Sequence, residues 1–274
     1  MSGVKTIVIK CGGSIINQLT NSFFRDLKKL IDSGHNIVLV HGGGPDIANM
    51  LAKLNIEAEF VDGLRRTSKE ALEVVTMVLS GKVNKQLVRD IQIQGLQAVG
   101  LSGCDAQLLE AEAIDFEKLG YVGEVVSVNE QLLKQLIDQS YIPVISSIGL
   151  NRQGEVFNIN ADVAAGSIAK ALGAEKLMFV TDVQGVLKDQ QLLPELTVEE
   201  VNYLIEEKTI YGGMIPKVMS AVKALSPTLH EVNIISGING FLDQNGNLVG
   251  TAIKHTIKGG EDKDELVISN VSTS

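Results

Sequence analysis

Two cysteines, Cys11 and Cys104, are all that this chain of 274 residues carries, and they lie far apart. That excludes a disulfide framework and a cysteine-built metal cluster, and points to free thiols in a reducing compartment. Five prolines, and 27 glycines without a fixed period, exclude a fibrous chain. Positive charge is in deficit, 24 Lys and Arg against 33 Asp and Glu, for a net charge of -9. The global basic footprint of a nucleic-acid-binding protein is absent, which leaves room only for a local basic site holding an anionic ligand. No apolar run approaches the roughly 18 residues that span a bilayer, and no leader with a small-residue cleavage site opens the sequence. What is present is 45% hydrophobic residues, enough to exclude disorder and to fill one large domain or two ordinary ones. The expectation is a soluble, acidic, cytoplasmic protein with no nucleic acid and no membrane as partner.

Short β-branched runs recur at residues 6–9, 37–40, 97–101, 142–145, 177–180 and 232–235. Several are continuous apolar runs, as strands buried on both faces should be. Between them apolar residues fall at helical spacing. One stripe is Phe23, Phe24, Leu27, Leu30 and Ile31; a second is Ile47, Met50, Leu51 and Leu54; a third is Ile215, Val218, Met219, Val222 and Leu225. Gly34 is a C-terminal stop for the first stripe. Residues 197–200 have capping-box spacing ahead of Val201, Leu204 and Ile205. Looser alternation over 121–128 and an arm at 155–158 predict extra antiparallel strands. Strands alternating with helices predict an α/β fold with a parallel sheet covered on both faces. No Pro/Ser linker marks a domain boundary, and the Ala-rich segment 162–173 is the one candidate. The charged tail after Gly259 is expected to be poorly ordered beyond its Leu-Val-Ile stretch.

Glycine-rich motifs follow several of these runs. Lys10-Cys11-Gly12-Gly13-Ser14 follows the first. In an open parallel sheet, ligands bind at the carboxyl ends of strands. Two glycines there let backbone N–H groups approach an anion, and Lys10 adds a positive charge; a plain turn with a solvated lysine is the other reading. His41-Gly42-Gly43-Gly44-Pro45 follows the second run and opens the second stripe. A turn needs one glycine, and three lose extra conformational entropy on folding. The pattern predicts an anion-binding nest at a helix N-terminus, with Pro45 where a first turn tolerates it. His41 reads as structural, since no carboxylate partner lies near it in sequence, and His35, His230 and His255 show no pairing pattern.

Gly63-Leu64-Arg65-Arg66 offers a guanidinium that can grip a carboxylate bidentately, with a solvated surface pair as the alternative. Asn158 and Asn160 share one face of an extended segment leading into Asp162, which could equally be an N-cap. Residues 181–186 follow another run and read as a turn or a nucleotide contact. Gly212-Gly213-Met214-Ile215-Pro216-Lys217 places a lysine in a first helical turn, where a cation is unfavourable unless an anion sits beside it. Neither G-x-G-x-x-G after the first run nor G-x-x-x-x-G-K-[ST] anywhere is found, which excludes a standard dinucleotide-binding enzyme and a P-loop enzyme.

In order and over residues 5–253, these motifs resemble those of the amino acid kinase family. The resemblance implies a three-layer α/β/α sandwich around a mainly parallel open sheet. It implies an N-terminal lobe, residues 1–165, for the amino-acid substrate and for dimerisation, and a C-terminal lobe, residues 166–274, for ATP. Lys10 and Lys217 would flank the transferred phosphoryl group, with Asp162 orienting both. Gly43, Gly44, Arg65 and Asn158 match substrate-contacting positions, Arg65 holding the α-carboxylate. Gly12, Gly13, Asp182, Gly185, Tyr211, Gly213 and Met214 fall on the nucleotide side. Residues 81–85 resemble a further family stretch on a long helix. The reaction implied is phosphorylation of the γ-carboxylate of N-acetyl-L-glutamate by ATP, with Mg²⁺ held mainly by the ATP phosphates, as a step of arginine biosynthesis. Only four residues precede Lys5, short of the N-terminal helix that knits dimers into hexamers in arginine-inhibited members, so a homodimer is implied. Another carboxylate or carbamate kinase of the same fold, or a nucleotide-sensing relative without catalysis, would carry much the same motifs.

Overall fold

In the first strand, β1 (Thr6–Cys11), Ile7, Ile9 and Cys11 face one side and Val8 the other, and all four are buried. In β2 (Asn36–His41) the same split sets Ile37 and Leu39 against Val38 and Val40. Strands apolar on both faces need a layer on each side. The structure, a computed structural model describing residues 5–255, supplies both. On one face lie α1 (Asn21–Asp32), α2 (Gly44–Lys53), α3 (Lys69–Thr76) and α4 (Asn84–Ile93), which contribute Phe23, Leu27, Leu51, Val75, Leu87 and Ile91 to one core. On the other lie α5 (Glu130–Asp138), α6 (Ala161–Leu172), α7 (Val198–Glu206) and α8 (Met214–Ala224), with Leu133, Ala165, Ile168, Val201, Leu204 and Val218 in a second core. The expected three-layer sandwich is therefore present.

The remaining strands of the main sheet are β3 (Ala98–Ser102), β4 (Ile142–Ser146), β5 (Lys176–Thr181), β6 (Glu195–Thr197), β7 (Glu231–Ser236) and β8 (Gly250–Lys254). Their order across the sheet is β6-β8-β7-β5-β1-β2-β4-β3. All six runs read from the sequence are here, and every pairing among them is parallel. The strands without a sequence signal are the short β6 and the edge-proximal β8, which runs antiparallel to β7. The alternating segments at 121–128 and 155–158 belong to a small closed sheet of Leu109–Ala113, Val122–Val128, Ile148–Leu150 and Val156–Ile159. A separate hairpin pairs Glu59–Val61 with Leu64–Arg66 through a turn at Asp62 and Gly63, both at positive φ.

Local chemistry sets the helix ends. Gly34 adopts φ +92° just past α1, and Gly173 closes α6 in the left-handed region. Thr197 and Glu200 form the expected capping box on α7, each bonding the other's backbone N–H. Between α3 and α4 the helix widens into a π-helical stretch, Met77–Val83, and the family-like segment 81–85 runs from its end into α4. Residue 165, the expected lobe boundary, lies inside α6. The tail reading after Gly259 concerns residues outside those described.

Candidate active site

The carboxyl ends of β1 and β2 release the two glycine loops side by side. Here the fold itself demands glycine: a Cβ on Gly13 would stand 2.6 Å from the Gly44 nitrogen and 2.8 Å from the Gly43 Cα. A Cβ on Gly43 would stand 2.6 Å from Leu79 of the π-helical stretch. Gly44, by contrast, faces open space and is the first residue of α2, with Pro45 beside it. The first N–H groups of a helix have no intrahelical acceptor, and no side chain caps this end. It opens onto a cleft of about 490 Å³. Lys10, Gly13, Gly43, Gly44, Arg65, Asn158 and Asp162 all line that cleft.

Lys10, at the end of β1, places its Nζ 2.6 Å from Asp162 Oδ1, with the Phe179 ring 5.8 Å away. Asp162 is free to take this partner because it is not the N-cap of α6. Asn160 is, accepting from the backbone nitrogens of Asp162 and Val163 at 2.8 and 3.3 Å. The capping alternative for Asp162 is thereby corrected, and the in-phase asparagines acquire separate tasks. Asn158 instead points its amide at Thr67 Oγ1, 3.2 Å away.

The hairpin separates the two arginines by strand alternation. Arg66 turns outward to Glu59, 2.8 Å from its carboxylate. Arg65 turns into the cleft, stacks 4.6 Å from the Phe60 ring and donates to the Gly44 carbonyl at 3.3 Å. Its Nη1 is buried without a hydrogen-bond partner among the described residues, and burial pulls its pKa below the usual arginine value. A buried guanidinium nitrogen left unpaired costs free energy unless a ligand satisfies it. A carboxylate is the group that fits this fork.

The second lysine stands elsewhere. Lys217, in the first turns of α8, pairs with Asp182 just past β5, 2.6 Å from its Oδ1. The structure thus couples Asp162 to Lys10 and leaves Lys217 to a different carboxylate, where the resemblance had implied that Asp162 orients both. Asp182 is also the anion that makes a lysine tolerable near a helix N-terminus, and this pair holds its carboxyl below the usual range, through the Lys217 hydrogen bond first. Asp182, Tyr211 and Gly213 are exposed, and Met214 is half-buried at the start of α8. Gly185 has a local cause: its φ is +155° and a Cβ would meet Thr251 Oγ1 at 2.5 Å. Gly12 has ordinary room around it. None of Gly12, Asp182, Gly185, Tyr211, Gly213, Met214 or Lys217 lines the cleft above; β5, which leads to Asp182, pairs directly with β1, which ends at the Lys10 loop.

His41 is buried and structural, bonded to Gly42 and Asn84. Cys11 is buried under the sheet, which pushes its thiol up to about 12 and leaves it unreactive. Sequence reasoning missed Phe60, Leu79, Val122 and Ser147 in the cleft wall, since an apolar or small residue carries no local signal for a distant pocket.

The model of the amino acid kinase family matches residues 5–251. The acetylglutamate kinase of Geobacillus sp. (strain WCH70) is 54% identical over 253 residues, which cover 92% of this chain and 98% of that protein. That of Bacillus subtilis (strain 168) is 49% identical, covering 86% and 92%. The crystal structure of smu.665 from Streptococcus mutans UA159 superposes with a TM-score of 0.80 at 33% identity, covering 92% and 99%. Giardia carbamate kinase, 18% identical with a TM-score of 0.66, shares the fold. The chain belongs to the amino acid kinase family. Within that family its similarity to acetylglutamate kinases extends over most of its length.

Proposed function

We propose that this chain transfers the γ-phosphoryl group of ATP to the γ-carboxylate of N-acetyl-L-glutamate, giving ADP and the acyl phosphate, as a step of arginine biosynthesis. The observation that carries the reading is the unpaired, buried Nη1 of Arg65 in the cleft that also holds Lys10 and the glycine loops. Such a cleft suits an acceptor with one carboxylate for the arginine and a second directed at the lysine. The sequence similarity to acetylglutamate kinases supports that acceptor over others of the fold.

An acceptor carboxylate with a pKa near 4.3 is already ionised at pH 7. No general base is needed, and the difficulty is bringing one anion against a polyanion. Positive charge and oriented amides lower that barrier. Lys10 approaches from the acceptor side, locked by Asp162. Lys217 approaches from the nucleotide side, exchanging Asp182 for phosphate. The N–H groups at the start of α2 and in the Gly12-Gly13 loop complete the cradle. Mg²⁺ would be held mainly by the ATP phosphates and water, since Asp162 stays engaged by Lys10. Gly185, Tyr211 and Met214 belong to the nucleotide side, Gly213 with them at the N-cap of α8. Residues 1–165 serve the acceptor and dimerisation, and residues 166–274 serve ATP. The assembly is a cytoplasmic homodimer; no helix among the described residues is long and apolar enough to cross a membrane.

The test is an acceptor panel with purified protein, ATP and Mg²⁺, trapping acyl phosphate with hydroxylamine. Acetylglutamate should give product, with glutamate, aspartate and carbamate far behind. Product from another acceptor, or ATP binding without turnover on any of them, would overturn the reading.

A further inference from the structure

His41 takes no part in the chemistry above, yet it is fully buried beneath the triple-glycine loop. Its Nδ1 lies 2.9 Å from the Gly42 carbonyl oxygen, and its Nε2 lies 3.1 Å from the amide nitrogen of Asn84. A carbonyl only accepts, so Nδ1 carries the proton. An amide nitrogen only donates, so Nε2 offers its lone pair. The Asn84 amide cannot turn round to reverse this. The same nitrogen also lies 3.2 Å from the Leu101 carbonyl and 2.8 Å from that of Val144, its two hydrogens being shared among these and the His41 ring, while its Oδ1 accepts from Lys85 Nζ at 3.0 Å. Asn84 is itself fully buried, and a Cβ on Gly100 would collide with it. A chain of fixed contacts therefore runs from β3 and β4, through Asn84 and His41, to one peptide of the glycine loop.

That peptide joins Gly42 to Gly43 and is trans, so its carbonyl and N–H point to opposite sides. Its carbonyl is drawn onto a ring in the interior. Its N–H therefore points away from that ring, in a loop whose Gly42, Gly43 and Gly44 line the cleft. With glycine on both sides the peptide has little steric resistance to flipping. A flipped peptide would present carbonyl lone pairs to the phosphates.

We propose that His41, oriented by Asn84, is a positioning residue that locks the Gly42–Gly43 peptide with its N–H aimed at the phosphoryl group in transfer. The proposal deepens the kinase reading and rests on it. Burial, with the nearby Lys85, pulls the imidazole down to about 4 against a bond to Gly42 that acts the other way. The ring is thus neutral near pH 7, as the acceptor role of Nε2 requires.

Two amide variants separate positioning from mere packing. Asparagine places its amide nitrogen where Nδ1 sits and can still donate to the Gly42 carbonyl, whereas glutamine reaches only as far as Nε2 and Asn84. The first readout is kcat against acetylglutamate. The second is the ratio of dissociation constants for ADP and a non-hydrolysable ATP analogue, measured by calorimetry without acceptor. His41→Asn should keep both within about threefold of the wild type. His41→Gln and His41→Phe should lose tenfold or more in kcat and most of the preference for the triphosphate, with KM for the amino acid within about threefold. Equal behaviour of the Asn and Gln variants, whether both active or both impaired, would overturn the proposal. If His41→Phe does not fold, the Asn and Gln pair still decides. A wild type that ignores acetylglutamate would remove the acceptor assignment alone, and the triphosphate ratio would continue to test His41.

Discussion

Lys10 and Lys217 carry the same ammonium group and each holds an aspartate at 2.6 Å, but their surroundings differ. The Lys10–Asp162 side chains are 17% and 24% exposed, those of Lys217 and Asp182 32% and 57%. The first pair is walled in by β1, α6 and the glycine loops, the second sits at an open loop and a helix end. A charge interaction grows as water is excluded from it. The Lys10 pair is therefore fixed by packing, while the Lys217 pair leaves its charges largely to solvent.

The largest expected effects test whether both lysines act on the transition state at all. Lys10→Ala and Lys217→Ala should each lower kcat by about 10²–10³-fold with little change in either KM. Thermal unfolding then separates them. Lys10→Ala should lower Tm because it strands the enclosed Asp162, whereas Lys217→Ala should leave Tm near the wild type. Equal losses of Tm would erase the contrast, and normal turnover of either variant would remove its catalytic role.

Next in size is the arginine pair. Arg65→Ala should raise KM for acetylglutamate by about 10- to 100-fold, as expected for hydrogen bonds to a charged group. Arg66→Ala, whose guanidinium pairs with Glu59 on the outside, should change it by less than about threefold. Steady-state kinetics at saturating ATP would show this, and an unchanged KM in Arg65→Ala would hand the carboxylate to Arg66. The smallest effect sharpens the comparison of the two aspartates. Asp182→Asn should cost no more than about 1 kcal/mol in urea unfolding, as exposed ion pairs do. A larger loss than that from Asp162→Asn would show the nucleotide side to be as rigid as the acceptor side.

Much of this molecule is legible along the chain. Several of the six parallel strands are continuous apolar runs, as strands covered on both faces in a three-layer sandwich should be. The glycine loops announce close backbone approach through residue type alone. The capping box on α7 is read from two residues three apart. The three-residue β6 is not legible, because so short a strand takes its conformation from its neighbours, and β8, Gly-Thr-Ala-Ile-Lys, lacks an apolar run. Nor is the division of labour between Asn160 and Asp162 evident. Both residue types cap helices, and only the observed bond from the Asp162 backbone N–H to Asn160 Oδ1 identifies Asn160 as the cap and leaves the carboxylate to Lys10.

Residue types at strand ends were enough to point to an anion-binding site of lysines, glycine amides and an arginine. Partner choice was decided only in three dimensions. Which aspartate meets which lysine, and how Asn84 holds the His41 ring against the Gly42 carbonyl, depend on groups tens of residues away in the chain. Local sequence sets what a side chain can do, and long-range packing sets what it can reach.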